Sequence, residues 1–331
     1  MIYIESPSND PAFNLALEQF VFDHMDRNQE YFMLWQNANT VVIGKNQNAF
    51  AEVNQKTADK RCISLVRRLS GGGAVYHDLG NLNFTFILNA KDATDLDIRL
   101  FCQPIVDLLH SLNVPAEVNG RNDITIEGKK FSGNSQYLKQ GRIMHHGTLM
   151  FNSDLAVVAD VLHVSTDKFQ SKAAKSVRSR VTNIAPYLPE GFTLENFKSL
   201  LLKHILKTNN IKSYTFSIDE LEKIEQIKKD RYDKWDWNYG YSPAYSVEKS
   251  RRFEGCGKIE VHMNTNNGII SDIQFFGDFF GVEDTTKLAT LLKGIKLEQH
   301  ALTECLTSSK IEHYFHGLKM EDFLSLLLQT E

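Results

Sequence analysis

Apolar residues recur along this chain in two rhythms, one close to the helical repeat and one of two residues. Asp10 and Pro11 open the first helical stretch, an N-cap oxygen followed by a residue that needs no N–H. Phe13, Leu17, Phe20 and Val21 then fall on one face, which predicts an amphipathic helix to about Asp26. Ile98 to Leu112 predicts a second, with Phe101, Ile105, Leu108, Leu109 and Leu112 together and Asn113 as its stop. Leu194 to Lys207 and Ser217 to Asp230 read as further helices. The two-residue rhythm is clearest where Leu82, Phe84, Phe86 and Leu88 alternate with Asn83, Thr85 and Ile87, a half-buried strand. Tyr31 to Trp35 and Thr40 to Ile43 read as two strands around an Asn-Ala-Asn turn. Asp123 to Ile126 and Lys130 to Ser132 flank Glu127-Gly128 as a tight hairpin, and Met144 to Phe151 adds a strand carrying His145, His146 and Thr148.

Helices and strands mix without a regular βαβ order. The expected class is α+β, a large domain with a mixed or antiparallel sheet flanked by helices. A smaller α/β unit is expected from Ser246, with strands Gly257–His262 and Gly268–Phe275 joined through Asn264 to Gly268. Helices follow at Asp284 to Leu292, His300 to Leu306 and Met320 to Leu328. The expected domains are therefore 1–245 and 246–331.

The 331 residues are 42% hydrophobic and 24% charged, which suits a folded chain with a sizeable core. A net charge of −4 excludes a broad basic surface for nucleic acid or anionic membrane, though not a local basic pocket. No stretch approaches the about 18 apolar residues of a membrane span, and the start lacks the basic and apolar regions of a secretory signal. Cys62, Cys102, Cys256 and Cys305 lie far apart, so neither a zinc knuckle nor a disulfide framework is expected, and a cytoplasmic setting follows. His313 and His316 could share a helix face, which does not by itself close a metal site.

Chemistry concentrates in Arg67-Arg-Leu-Ser-Gly-Gly-Gly-Ala-Val-Tyr-His-Asp78. Three consecutive glycines let a ligand press against amide N–H groups, and Arg67 and Arg68 supply cationic forks for phosphate or carboxylate. The loop does not end Gly-Lys-Ser/Thr as a Walker A loop would. Tyr76 stands where a dinucleotide fingerprint needs its third glycine. An anion site fits best; the plainer alternative is a hairpin whose glycines serve turn geometry. If Phe131 faces the core, Lys130 and Ser132 share the other face, which aims Lys130 at a cleft. Lys45 in the Gly44 to Asn48 loop reads as solvated. The basic run from Asp167 to Arg180 reads either as a solvated face or as a phosphate-contacting loop.

Taken together with Gly120-Arg-Asn-Asp123, Lys130-Phe-Ser-Gly133, His145-His-Gly-Thr-Leu149 and Ser176-Val-Arg-Ser-Arg-Val-Thr-Asn183, these blocks closely resemble the lipoate–protein ligase A family. The resemblance runs over nearly the whole chain, in matching order. It implies a biotin/lipoyl ligase-like fold and two half-reactions. Lipoate and ATP give lipoyl-adenylate and pyrophosphate. A lysine of an acceptor then takes the lipoyl group, the acceptors being lipoyl domains of 2-oxoacid dehydrogenase complexes and the glycine-cleavage H protein. The resemblance further implies Lys130 as the catalytic residue. It implies ATP or lipoate contacts at Arg68, Ser70, Gly71, Gly72, Gly73, Ala74, Val75, Tyr76, His77, Asn122, Asp123, Ser132, Gly133, His146, Gly147, Thr148 and Arg178. Asp123 is the candidate magnesium ligand, ATP phosphates supplying most of the remaining coordination. The block from Ser176 to Asn183 is implied as a loop closing over the adenylate, and the C-terminal domain as a part that moves between half-reactions. An octanoyl or lipoyl transferase of the same fold would need a placed cysteine, and none of the four lies in these blocks. A biotin–protein ligase would carry a Gly-Arg-Gly-Arg loop, which is absent. A non-catalytic lipoate- or nucleotide-binding protein is the third alternative; the intact Lys130 and arginine loop argue against it.

Overall fold

The helix opened by Asp10 forms as its residues dictate: α1 spans Pro11–His24, and the Asp10 carboxylate accepts from the Ala12 N–H. The computed structural model describes residues 1–53, 55–90, 97–120, 122–162, 180–208, 211–239 and 247–328. It divides into two compact units. The first comprises 1–43, 50–68 and 74–238; the second comprises 44–49, 69–73 and 239–331.

Among the described residues, the first unit is built on a seven-stranded sheet. Its strands are β1 (Ile2–Glu5), β2 (Tyr31–Trp35), β6 (Asn81–Asn89), β7 (Ala116–Asn119), β8 (Asp123–Ile126), β9 (Lys129–Lys139) and β10 (Arg142–Met150). Their order is β1-β2-β6-β10-β9-β8-β7, with β1 and β2 parallel and every other neighbour antiparallel. A separate sheet holds β3 (Thr40–Ile43) between β4 (Ser64–Arg67) and β5 (Val75–His77). The strands at Tyr31 and Thr40 therefore do not form the expected hairpin: they enter different sheets.

The large sheet is covered on both faces. One face, with Phe32, Leu34, Phe84, Phe86, Ile143 and Leu149, packs against α2 (Ile98–Ser111) and α3 (Leu194–Leu206) as the main core. The other presents Trp35, Asn83, Thr85, His146 and Thr148 toward α1. Strand β6 is thus buried on both sides from Asn81 to Ile87, not half-buried as its alternation suggested. Of its odd positions, Asn81, Asn83 and Thr85 are polar yet buried, and they hydrogen-bond within the fold. The structure also extends the helix at Ser217, which runs Ile218–Ile227 and widens into a π turn at Lys228–Tyr232.

Arg142, fully buried at the start of β10, ties that strand to the end of α1. Its guanidinium donates to the carbonyls of Phe22 at 2.7 Å, Met25 at 3.2 Å and Asp26 at 3.3 Å, and lies over the rings of Phe22 and Tyr31. A cation on the last carbonyls of a helix satisfies orphan acceptors and opposes the negative end of the dipole.

In the second unit, β11 (Val247–Phe253), β12 (Gly257–Asn266) and β13 (Ile269–Gly277) form an antiparallel sheet. The first of these strands went unread in the sequence. The turn is tighter than expected, two residues, Asn267 and Gly268, both with positive φ. Ile259, Val261, Phe275, Leu288, Leu302 and Phe323 fill the core beneath. His313 lies in the short helix Ile311–Tyr314 and His316 beyond its end, so the two share no helix face. No helix among the described residues is long and apolar enough to cross a membrane.

Candidate active site

Lys130 owes its placement to a turn and a bulge. Glu127 and Gly128, with φ of 52° and 73°, close a two-residue hairpin between the paired Ile126 and Lys129. The register then slips: Thr125 faces Lys130 and Ile124 faces Ser132, leaving Phe131 as the extra residue. Phe131 is driven into the core with no exposed surface. Strict alternation predicted Lys130 and Ser132 on one face. The bulge overturns this, and Lys130 shares its face with Gly133 instead. A Cβ on Gly133 would come 2.9 Å from the Lys130 Nζ, so the amine lies directly over this glycine. Ser132 turns to the opposite face, fully buried, and accepts from Asn134 Nδ2 at 3.2 Å.

The backbone of Lys130 is held on both sides. Its N–H donates to the Arg180 carbonyl at 2.8 Å, and its carbonyl accepts from Thr182 N at 2.9 Å. Its Nζ meets Asp123 Oδ1 at 2.7 Å, each side chain about one-third exposed (33% and 36%). Such a pair contributes roughly 0–1 kcal/mol, so a ligand anion can displace the carboxylate cheaply. A fixed backbone with an exchangeable head suits a lysine that follows charge. The Asn122 amide donates to the Asn134 carbonyl at 2.9 Å and so anchors the strand beside Lys130. The Gly133 N–H reaches Thr148 Oγ1 at 3.1 Å, which joins Lys130 to β10.

Further along β10, His146 Nδ1 faces both oxygens of Glu18, at 3.1 and 3.2 Å. Thr85 Oγ1 donates to the same carboxylate and accepts from Trp35 Nε1 at 2.9 Å. Glu18 is 1% exposed, and burying a carboxylate is tolerated only with partners of this kind. Sequence reading missed Glu18, Thr85 and Asn14. One signal could have found them: Asn14 and Glu18 stand four apart within the otherwise apolar face of α1. Gly147 points to the sheet's other side, where Asn134 Oδ1 and the Phe84 ring fill the space a Cβ would take.

The two arginines part company. Arg68 is buried, its N–H on the Ile43 carbonyl and its Nη1 3.2 Å from the Val42 carbonyl; burial lowers its pKa to about 10, and it stays cationic at neutral pH. Arg67 is a rivet. Its guanidinium donates to the Trp237 and Asn238 carbonyls at 2.8 and 3.0 Å, and Trp237 Nε1 returns a bond to its carbonyl at 2.8 Å. Arg67 is therefore not the ligand-facing fork expected of it, because its guanidinium is committed to the short helix Trp235–Asn238. Tyr76 is likewise committed, its hydroxyl donating to Asn39 Oδ1 at 2.8 Å. Ala74 and Val75 carry partly exposed side chains at the start of β5.

In the second unit, the glycine-rich loop is shaped as much by packing as by ligand access. A Cβ on Gly71 would meet the Phe279 carbonyl at 2.5 Å, and one on Gly44 the Gly72 carbonyl at 2.0 Å. Gly72 adopts φ of 87°, and a Cβ on Gly73 would meet nothing within 4 Å. The Ser70 carbonyl accepts from Lys45 N, and Lys45 Nζ pairs with Asp284 Oδ2 at 2.7 Å. Lys45 is thus bound to a carboxylate rather than merely solvated. Arg178 and the basic run up to residue 179 lie outside the described residues.

His77 and His145 are both buried and uncharged. Burial, then Arg68 and His146, lower His77 to about 3, and burial carries His145, stacked on Phe101, well below its ordinary value. Unfolding exposes rings that protonate near pH 6.5, so stability is full above that pH and falls as the solution is acidified below it. Each ring contributes a slope of up to about 1.4 kcal/mol per pH unit between there and its folded value. The midpoint of urea unfolding should fall steadily from about pH 6.5 to 5, and less steeply in His145→Gln. Equal stability at both ends of that window would contradict the neutral assignment.

No group of three or more His, Cys, Asp or Glu suited to a metal occurs among the described residues. Asp123 stands as a single carboxylate, a fit for an ion held mainly by substrate phosphates and a poor one for a metal caged by protein.

The family model "Lipoyl protein ligase A/B catalytic domain" matches residues 10–206, and "Bacterial lipoate protein ligase C-terminus" matches residues 242–327. The lipoate-protein ligase LplJ of Bacillus subtilis is 44% identical over 331 residues, covering 99% of this chain and 100% of LplJ. Among solved structures, P. falciparum LipL1 in complex with lipoate superposes with a TM-score of 0.80 at 25% identity, over 99% of this chain and 98% of that one. A bipartite lipoate protein ligase from Thermoplasma acidophilum, described with its E2 lipoyl domain, gives 0.64 at 27% identity, over 74% of this chain and 98% of that one.

Proposed function

The chain belongs to the lipoate–protein ligase family, and we propose that it is an ATP-dependent ligase that attaches lipoate to a lysine of lipoyl-domain acceptors. In the first half-reaction a carboxylate oxygen of lipoate attacks the α-phosphorus of ATP, and pyrophosphate leaves. In the second, the ε-amine of the acceptor lysine attacks the acyl carbon of the mixed anhydride, and AMP leaves. Both transition states gather negative charge on oxygens around one carbon and one phosphorus. Lys130 carries the reading: its backbone is fixed by Arg180 and Thr182, while its amine, among the described residues, is held by an exchangeable pair with Asp123. A cation so placed stabilises developing charge in both steps. Arg68 offsets the charge of the entering anion.

Magnesium would arrive with the nucleotide, with Asp123 as its protein ligand, and would supply charge neutralisation on the phosphates. The Lys130 amine, one-third exposed beside Asp123, would serve the acyl and phosphoryl oxygens. Ser70 to Gly73, Asn122, Gly133, His146, Thr148 and Arg178 stay proposed ligand contacts, and 1–245 and 246–331 the proposed catalytic and accessory domains. Cys102 is buried with its thiol pushed up to about 12, the opposite of an activated nucleophile, which counts against a thioester transferase. The four free thiols suit work in the cytoplasm. Lipoyl domains of 2-oxoacid dehydrogenases and the glycine-cleavage H protein are the proposed acceptors.

Incubation of the purified chain with lipoate, magnesium–ATP and an acceptor lipoyl domain tests this. Mass spectrometry should find the acceptor heavier by one lipoyl group on one lysine, only when ATP is present. Transfer from an acyl thioester without ATP would overturn the reading in favour of a transferase.

A further inference from the structure

A run of buried amides in the first unit ends on an imidazole nitrogen that no group among the described residues receives. Asn14, Asn37, Asn81 and Asn83 are each no more than 1% exposed, and His77 is 2% exposed. The direction of the run is fixed at its start. The Asn14 amide meets the carbonyls of Ser8 at 3.0 Å and Gln36 at 2.8 Å, which can only accept, so that end is its nitrogen. The same nitrogen faces Asn37 Oδ1 at 2.9 Å. The Asn37 nitrogen therefore points the other way, to His77 Nδ1 at 3.1 Å. Asn83, whose oxygen accepts from Asn81 at 2.9 Å, turns its nitrogen to the same ring atom at 3.5 Å.

Two donors on Nδ1 leave it with its lone pair, so the ring proton resides on Nε2. That N–H is buried and has no partner among the described residues. Buried polar groups are satisfied in nearly all native proteins, and an empty one calls for something that binds. Arg68 lies close enough to depress the basicity of the ring, so a cationic side chain stands beside this neutral donor. A neutral N–H donor beside a cationic side chain suits an anionic oxygen, while Asn81 Oδ1, also without a partner among the described residues, lies at the other end of the Asn81–Asn83 pair.

We propose that Asn37 and Asn83 lock His77 as the Nε2–H tautomer, and that this N–H donates to a carboxylate or phosphate oxygen of the bound substrate. The ligand part rests on the ligase reading; the tautomer does not. His77 touches substrate, and Asn37 is a positioning residue acting through it. A neutral donor set before the ligand arrives needs no reorganisation during reaction.

The test is nuclear magnetic resonance on the full chain carrying isotope-labelled histidine nitrogens. Ligand-free protein should show His77 with its proton on Nε2. Asn37→Asp, which keeps the shape but offers Nδ1 an acceptor, should move the proton to Nδ1. Lipoate alone and magnesium–ATP alone are then added; the one that shifts the Nε2 resonance identifies the oxygen. A proton on Nδ1 in the unaltered chain, or no shift with either ligand at saturation, overturns the proposal, the latter leaving a buried water as the only partner. Lipoate-dependent exchange supplies the second readout. Asn37→Asp and His77→Asn should each lose about 10²-fold in kcat/KM. His77→Gln, which can set an amide N–H near the Nε2 position, should retain most of it. Equal losses in the Gln and Asn variants overturn the donor role, and this comparison stands even if Asn37→Asp fails to fold. Failure of the unaltered chain to catalyse exchange would instead strike the ligase reading, leaving the tautomer result intact.

Discussion

Lys130→Ala should lower the rates of both adenylate formation and transfer by about 10²- to 10³-fold, with little change in stability. The stability expectation follows from the surface character of the pair with Asp123, whose loss costs at most about 1 kcal/mol. The backbone bonds to Arg180 and Thr182 survive the substitution, so the strand stays in place. What disappears is one positive charge lying over Gly133. Lys130→Arg should not restore the activity, because a planar guanidinium is bulkier than an amine in that space and cannot follow a moving charge as a point donor. Loss in one half-reaction alone would confine Lys130 to that step. Unaltered rates in both, from a folded variant, would remove it from the mechanism.

Arg142→Leu should cost about 3–4 kcal/mol and lower the thermal midpoint of the first unit by roughly 6–12 °C. The Phe22 and Met25 carbonyls lose this donor at once and leucine offers them nothing, while the Asp26 carbonyl keeps the Tyr31 hydroxyl at 3.0 Å and Gln29 N at 3.3 Å. The effect should reach the site, because α1 brings Glu18 to His146 and β10 carries His146 itself. Arg142→Lys should fall between, since one ammonium cannot span the three carbonyls as the fork does. A midpoint unchanged by Arg142→Leu would show that water serves these carbonyls as well as the guanidinium does.

Much of the fold was legible because local signals agreed with tertiary packing. Asp10-Pro11 at the start of α1, Asn113 after α2 and Glu127-Gly128 between β8 and β9 all sit where their backbone preferences predicted. The failures are instructive in kind. The alternation of β6 marked it as half-exposed, yet Asn83 and Thr85 are polar, buried and hydrogen-bonded within the fold. A period of two cannot tell water from buried polar partners. The Phe131 bulge reversed the partner of Lys130 from Ser132 to Gly133, and a one-residue slip leaves no trace in residue spacing. Arg67 looked like a ligand fork because its partners, Trp237 and Asn238, lie far along the chain. In the glycine-rich loop, the run of three suggested an anion cradle throughout. Gly71 answers to the Phe279 carbonyl, whereas Gly73 remains open. Motif order carried the family, but the buried amides behind His77 could only be read in three dimensions.

The central claim is that this chain activates lipoate as an adenylate without a cysteine intermediate. Lipoate-dependent exchange of labelled pyrophosphate into ATP, with magnesium present and no acceptor, measures that step alone. Exchange that requires lipoate and is lost in Lys130→Ala is the predicted result. A folded chain that binds lipoate but catalyses no exchange, with or without an acceptor lipoyl domain, would contradict the account.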